Sequence, residues 1–197
     1  EHGRTDPFGT ILDAYTPLTE PERRAKAAAI APALRGLVST DRPQVGHFTD
    51  AEVVLDFLSR SEHPRLAALG TSCPDHFLRT KVKPLLLDLP ASASVDETIA
   101  RLHELHEQYR TDYQAYYDGG VAASGIEPVE ISTSNDAGEA STGSTTGASA
   151  TTGTAVPPMR GADPLIVLIP GVGMFSYGAN KQTARVAGEF YINAINV

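Results

Sequence analysis

The sequence has a single cysteine, Cys73, among its 197 residues. One thiol excludes an internal disulfide and every zinc site that is built from several cysteines. Basic residues are not in excess either, because the formal net charge is -8 and the lysines and arginines form no separate patch. A net acidic surface repels phosphates. We therefore expect no binding to nucleic acid or to an anionic membrane.

Long apolar runs are absent as well. No stretch approaches the roughly 18 apolar residues that span a bilayer, and the opening EHGRTDPFG is no signal peptide. The composition predicts a cytoplasmic globular protein, with 41% hydrophobic residues to build a core. Because the chain begins without Met in a polar stretch and stops within the helix-patterned run FYINAINV, we expect an internal fragment of a larger protein.

A low-complexity stretch divides the chain. Residues 132–156 are nearly all Ser, Thr, Gly or Ala, and such a composition cannot offset the entropy that is lost on ordering. We predict a flexible insertion over residues 132–160. Residues 1–131 are expected to form an α/β part with helices and short strands, and residues 161–197 a strand-turn-strand-helix unit that completes the same domain.

Local sequence signals mark several helices. The capping-box spacing of Thr19-Glu20-Pro21-Glu22 opens an alanine-rich helix, which Pro32 is expected to kink or divide. A second capping box at residues 94–97 opens a helix with apolar and aromatic residues at steps of three or four. Another helix is predicted over AEVVLDFLS, residues 51–59.

Short apolar runs predict the strands. They are QVGHF, the leucine-rich run that begins at Leu85, LIVLI and VGMFSYG, the last two separated by a turn at Pro170-Gly171. A helix capped by Asn180 or Thr183 should follow, with its apolar face formed by the residues Val186, Phe190 and Ala194. Together these elements predict an α/β fold.

Two patterns near the carboxyl end imitate cofactor motifs. The glycines of residues 171–178 suggest a phosphate loop, but G-x-G-x-x-G is absent and Lys181 lies three residues beyond Gly178, so a hairpin turn is the simpler interpretation. Tyr177 and Lys181 have the Tyr-x-x-x-Lys spacing of short-chain dehydrogenases. The intervening Gly178-Ala179-Asn180 disfavours the required helical turn. We expect no cofactor in this segment.

The six histidines form no catalytic zinc pattern. Such a site usually takes three His or carboxylate ligands, two of them often at H-x-H or H-x-x-x-H spacing, and neither spacing occurs. His103 and His106 lie three residues apart on a predicted helix, but no third ligand is indicated. A packed or surface helix face is the simpler interpretation. We expect no metal in this segment.

The densest group of functional side chains lies between residues 70 and 81. Asp75 and His76 are the candidates for acid or base chemistry, and Arg79 and Lys81 are the candidates for phosphate binding. In the alternative interpretation, the first two cap a helix and the two cations meet solvent. A nucleophilic Cys73, which would need His76 to reach it across the start of the helix, is the weaker alternative.

Two stretches, LAALGTSCPDHFLRTKVKPLLLDLP and PLIVLIPGVGMFSYGANKQTARVAGEFYINAINV, resemble the bifunctional rhamnulose-1-phosphate aldolase/short-chain dehydrogenase family. The resemblance covers nearly all of the chain outside the low-complexity stretch. It implies a central region between a zinc-dependent class II aldolase (adducin-like) domain and an NAD-linked short-chain dehydrogenase. Zinc and NAD would then belong to the flanking domains, which would be the partners of this chain in a homo-oligomer.

The same stretches also resemble a degenerate second copy of the class II aldolase pattern, a layered sheet with flanking helices. That pattern has H-x-H after one strand and His-Gly after a later strand, whereas Thr71-Ser72-Cys73 and Pro170-Gly171 stand here. The resemblance therefore implies a non-catalytic domain. The alternatives are a domain that contributes phosphate-binding or acid/base residues to the aldolase active site, and a stand-alone domain that binds a small molecule.

Overall fold

The computed structural model describes residues 6–71, 73–124, 159 and 161–197. These residues form a mixed α/β fold, as predicted, in which one sheet lies between two layers of helices. The predicted insertion over residues 132–160 lies outside the described residues, apart from Met159. Within the described ranges, no helix combines the length and the apolar character that a bilayer crossing requires.

The elements follow one another along the chain as six α-helices, four strands and one short 3₁₀ turn within the described ranges. They are the 3₁₀ turn Asp13–Tyr15, α1 Glu20–Leu37, β1 Val45–Thr49, α2 Glu52–Ser59, α3 His63–Ala68, α4 Pro74–Thr80, β2 Leu85–Leu86, α5 Val95–Ser124, β3 Ile166–Ile169, β4 Gly173–Gly178 and α6 Lys181–Ile195.

The sheet has the strand order β1-β4-β3-β2. Strands β3 and β4 form an antiparallel hairpin at the centre, with Val167 opposite Phe175. Strand β1 pairs with β4 in antiparallel orientation, and β2 pairs with β3 in parallel. The two central strands therefore come from the last part of the chain, and the two edge strands come from the first part.

The central strands bury both faces, because alternate residues along a strand point to opposite sides of the sheet. Val167 and Ile169 belong to the apolar cluster that includes residues of α1 and α5. Ile166 and Leu168 belong to the second cluster, with residues of α2 and α6. The continuous apolar run LIVLI reflects this double burial, which confirms the predicted buried strand.

Both predicted capping boxes are formed. The backbone nitrogen and hydroxyl of Thr19 lie 3.0 and 2.6 Å from the carboxylate of Glu22. Ser94 and Glu97 make the same pair of contacts at the start of α5. Asn180 caps α6, because its side-chain oxygen accepts a hydrogen bond from the backbone nitrogen of Thr183.

The predicted division of the first helix at Pro32 is wrong. Helix α1 continues from Glu20 to Leu37 through this residue. The proline ring removes the hydrogen bond to the carbonyl group of Ala28, but both residues are exposed, so water can satisfy that carbonyl group.

The predicted apolar face of α6 is displaced by about one residue. Its buried side is formed by small residues and two larger ones, namely Ala184, Ala187, Gly188, Tyr191 and Ile195. Gly188 lies so close to β4 that a Cβ atom there would be 2.9 Å from the hydroxyl oxygen of Ser176. Small residues allow this close approach, and the larger Val186 and Phe190 are therefore left half-buried at the side.

Candidate functional site

Five charged or titratable side chains from distant parts of the sequence meet beside the middle of α5. They are Asp41, Lys81, His106, Arg110 and Asp163, and we call them the Asp163 cluster. Asp41 follows α1, Lys81 ends α4, and Asp163 precedes β3. His106 and Arg110 lie one turn apart on α5. The cluster therefore connects four segments of the fold.

Asp163 is the centre of the cluster and is 4% exposed. One carboxylate oxygen accepts hydrogen bonds from the backbone nitrogens of Thr40 and Asp41, at 2.8 and 3.1 Å. The other accepts from His106 Nε2 at 3.0 Å and from Arg110. Burial alone would raise the pKa of Asp163, but these donors outweigh it and hold the pKa well below its ordinary value.

Arg110 joins Asp163 to Asp41 on the solvent side of the cluster. Its Nη1 and Nη2 atoms lie 3.0 and 3.1 Å from the two carboxylate oxygens of Asp41, which is a bidentate pair. Asp41 also accepts a hydrogen bond of 2.7 Å from the backbone nitrogen of Ala162. The bonds from Arg110 lower the pKa of Asp41. Both carboxylates of the cluster are thus paired with donors.

Lys81 is a buried cation in an unfavourable backbone conformation. Its φ of 63° and ψ of -170° lie in a region that glycine favours. Its Nζ atom donates to the carbonyl oxygen of Gly161 at 2.8 Å and lies 4.3 Å from the ring centroid of Tyr113. Burial lowers the pKa of Lys81 to about 8, and the charges of Asp163 and Asp41 oppose this shift.

The cluster is an electrostatically compensated unit with almost no free space. The carboxylates of Asp41 and Asp163 pair with Arg110, and their charges also act on Lys81. The cavity beside them, lined by Gly161 and Leu165 among others, measures about 10 Å³. That is about the space of one water molecule. The arrangement can hold four segments together, but it has no room for a sugar phosphate.

The four candidate residues of the α4 region lie in two different surroundings. Asp75 is exposed, and the ring of His76 stands edge-on to Phe190, with centroids 5.4 Å apart. The exposed guanidinium group of Arg79 lies 5.9 Å from the centroid of the same ring. Lys81 instead points into the Asp163 cluster, so the interpretation that it meets solvent is wrong. The catalytic and phosphate-binding roles of these residues remain predictions.

The remaining sequence patterns are not assembled into sites. Tyr177 is buried in β4 whereas Lys181 is exposed at the start of α6, so they do not share a helical turn. His103 is exposed and His106 is buried. Cys73 has an exposed thiol. Among the residues that the structure describes, no three His, Cys, Asp or Glu side chains are grouped so that they could hold a metal ion.

The turn at Pro170-Gly171, one of the two positions compared with aldolase metal ligands, is closely packed. Pro170 and Gly171 are buried, and a Cβ atom at Gly171 would lie 2.2 Å from that of Ala91. The carbonyl oxygen of Gly171 accepts a hydrogen bond of 3.0 Å from Leu18. The chain itself therefore fills the space around this turn. Ser72, the middle residue of the other position, lies outside the described residues.

Sequence reasoning missed Asp41, Arg110 and Asp163. One signal was present, because His106 shares the periodic stripe of α5 with Leu102 and Tyr109, which are both buried. A polar residue on a buried stripe needs a hydrogen-bonding partner. The sequence did not indicate which residue supplies it.

Comparisons with known proteins give one family and one relative. The family described as "Aldolase class II, second domain" matches residues 25–134 and 147–197, more than half of the chain. The "Uncharacterized oxidoreductase YuxG" of Bacillus subtilis (strain 168) is 29% identical over 184 residues. The match covers 93% of this chain and 22% of that protein, so the chain spans about a fifth of the length of this relative. No solved structure matches the chain.

Proposed function

Because the chain belongs to the family of second domains of class II aldolases, we propose that it is the central, non-catalytic domain of a bifunctional cytoplasmic enzyme. A flanking zinc-dependent aldolase domain cleaves rhamnulose 1-phosphate to dihydroxyacetone phosphate and lactaldehyde. A flanking short-chain dehydrogenase domain oxidises the lactaldehyde with NAD. The central domain positions these two partners and helps to assemble a homo-oligomer.

The Asp163 cluster is the observation that carries the non-catalytic part of the proposal. It brings together five charged or titratable groups, yet its charges compensate one another and its cavity of about 10 Å³ admits no substrate. Enzyme sites usually combine perturbed pKa values with an open cleft. Here the perturbed groups Lys81 and Asp163 are closed in, which is typical of a scaffold.

The relative supports the bifunctional part of the proposal. It is named as an oxidoreductase, whereas the matched family is described as an aldolase domain. A polypeptide that contains both kinds of domain accounts for the two descriptions. Because this chain corresponds to 22% of that protein, most of the relative lies outside the matched region.

Zinc binding and aldol cleavage test the proposal directly. We expect purified residues 1–197 to retain no stoichiometric zinc after dialysis, measured by mass spectrometry, and to release no dihydroxyacetone phosphate from rhamnulose 1-phosphate in a coupled assay. The complete natural polypeptide is the matched control and should show zinc, cleavage and NAD reduction. Stoichiometric zinc together with cleavage by residues 1–197 would disprove the non-catalytic role.

A second candidate function rests on the exposure of Arg79. Its guanidinium group lies against the ring of Phe190 and is accessible to another domain, so it could contact a phosphate bound there. This is the alternative in which the chain completes an aldolase active site.

Replacing Arg79 by Ala in the complete natural polypeptide separates the two functions. A scaffold predicts an unchanged KM for the sugar phosphate, whereas a lost charge-assisted bond predicts a KM that rises roughly tenfold or more. Arg185→Ala is the matched control, because Arg185 is also a partly exposed arginine and pairs with Glu189 on α6. A rise in KM for Arg79→Ala alone would favour the second function.

A further inference from the structure

Helix α4 packs on α6, but its described side chains bury little apolar surface. It contains seven residues, of which Phe77 is half-buried and Leu78 is 65% exposed. The ring centroids of Phe77 and Tyr116 lie 6.4 Å apart, and His76 contacts Phe190. Isolated helices shorter than about 12 residues are marginal in water. The position of α4 therefore depends on its attachment to the rest of the domain.

Lys81 makes the attachment at the carboxyl end of α4. Its ammonium group is enclosed by the carbonyl oxygen of Gly161 and the ring of Tyr113, and its backbone has the glycine-like conformation. Both burial of a cation and this backbone conformation cost free energy. Detachment of α4 would relieve both costs. Water would then surround the ammonium group, and the backbone of Lys81 would be free to leave the glycine-like conformation.

We propose that the detachment of α4 is coupled to the uptake of a proton by Lys81, so that the helix is held more firmly as the pH rises above neutrality. This inference does not depend on the enzymatic role proposed above. It requires only that the helix detaches while the rest of the domain stays folded, as short and weakly packed elements commonly do.

The direction follows from proton linkage. In the attached helix, burial holds the pKa of Lys81 at about 8, whereas a hydrated lysine has a pKa of about 10.4. Between these values the detached state binds more protons than the attached state. Rising pH therefore favours the attached state.

The charged groups that face Lys81 keep their charges over the pH range of interest. Asp163 and Asp41 have a lowered pKa, and Arg110 has a raised pKa. The charge of Arg42 contributes to the lowered pKa of Lys81. Burial raises the pKa of Tyr113 above its ordinary value, which favours the neutral phenol. His106 reaches the cluster through Asp163.

A single buried thiol in α4 makes the detachment measurable. Thr80 is 2% exposed, and Cys73 is the one cysteine of the sequence, so Thr80→Cys combined with Cys73→Ser creates one protected thiol. Its alkylation rate, divided by the rate for the urea-unfolded chain at the same pH, gives the equilibrium constant between the attached and the detached helix. We call this ratio the opening constant. We expect this constant to fall on the order of tenfold between pH 7.5 and 9.5.

Matched lysine variants test whether Lys81 is the titrating group. Lys81→Met and Lys81→Gln should both abolish the pH dependence, and the second retains a hydrogen-bond donor towards Gly161. Lys83→Met should leave it unchanged, because Lys83 pairs with Asp112 at a site where both side chains are 40% exposed. The proposal is overturned if the parent shows no pH dependence, or if both Lys81 variants keep it. It is also overturned if the opening constant equals the equilibrium constant for global unfolding, which is obtained by extrapolating urea unfolding to zero urea.

Discussion

Asp163→Ala is expected to lower the free energy of unfolding by about 3 kcal/mol, because it leaves several buried donors without their acceptor. These donors are His106 and the backbone nitrogens of Thr40 and Asp41. Arg110 keeps its bonds to Asp41 and has some access to water, which places the effect at the lower end of the range for buried pairs. Urea unfolding, followed by circular dichroism, measures the change.

Asp112→Ala is the matched control for this experiment. Asp112 also pairs with a cation, Lys83, but the side chains are 40% exposed, so the loss should stay below about 1 kcal/mol. Equal losses from the two variants would contradict a central role for Asp163.

The same carboxylate should make the domain sensitive to acid. The pKa of Asp163 is lowered in the folded chain, so its stabilising contribution is present above the unfolded pKa of about 3.9 and is lost as the pH falls towards the folded value. As the pH is lowered, the free energy of unfolding should therefore decrease less steeply in the Asp163→Ala variant than in the parent protein. Identical acid dependence in both proteins would exclude this contribution.

Gly171→Ala is expected to destabilise the domain by about 3 kcal/mol or more. The residue has a φ of 74°, which costs roughly 1–3 kcal/mol for a residue with a side chain. The new Cβ atom would lie 2.2 Å from the Cβ of Ala91 and 3.2 Å from the carbonyl oxygen of Thr16, and overpacking of this kind costs roughly another 1–3 kcal/mol. Urea unfolding again gives the value.

Gly36→Ala provides the contrasting control. Gly36 lies in α1, and a Cβ atom there would meet nothing within 4 Å, so the substitution should stabilise the domain by roughly 0.5–1 kcal/mol. Adding Ala91→Gly to Gly171→Ala should recover the part of the loss that is due to contact with the Ala91 Cβ atom, and leave the parts that are due to the backbone and to Thr16. A Gly171→Ala variant with the stability of the parent would contradict the packing described for this turn.

The elements that the sequence predicted well are those with local causes. The capping boxes at Thr19 and Ser94 satisfy backbone groups within three residues of themselves, so their spacing alone indicates a helix start. The run LIVLI is buried on both faces, so every residue in it is apolar. The rule that proline divides a helix failed at Pro32, because the effect of a proline depends on whether the unpaired carbonyl group faces water.

The Asp163 cluster could not be predicted in this way, because its bonds join residues that are far apart in sequence. Asp163 and Thr40 are separated by 123 residues, and Asp163 and His106 by 57. Lys81 was singled out for its charge next to Arg79, but its burial follows from the backbone turn that ends α4. Such a turn is set by tertiary contacts rather than by neighbouring residues.

The central hairpin of the sheet determines when the domain can fold during synthesis. Strands β1 and β2 both pair with strands that are translated later, after the roughly forty residues between α5 and β3. At about 5–20 residues per second, the apolar surface that α1 and α5 turn towards the central strands stays uncovered for several seconds. The sheet therefore forms after most of the domain has been synthesised, and apolar surface that is exposed during that delay favours aggregation.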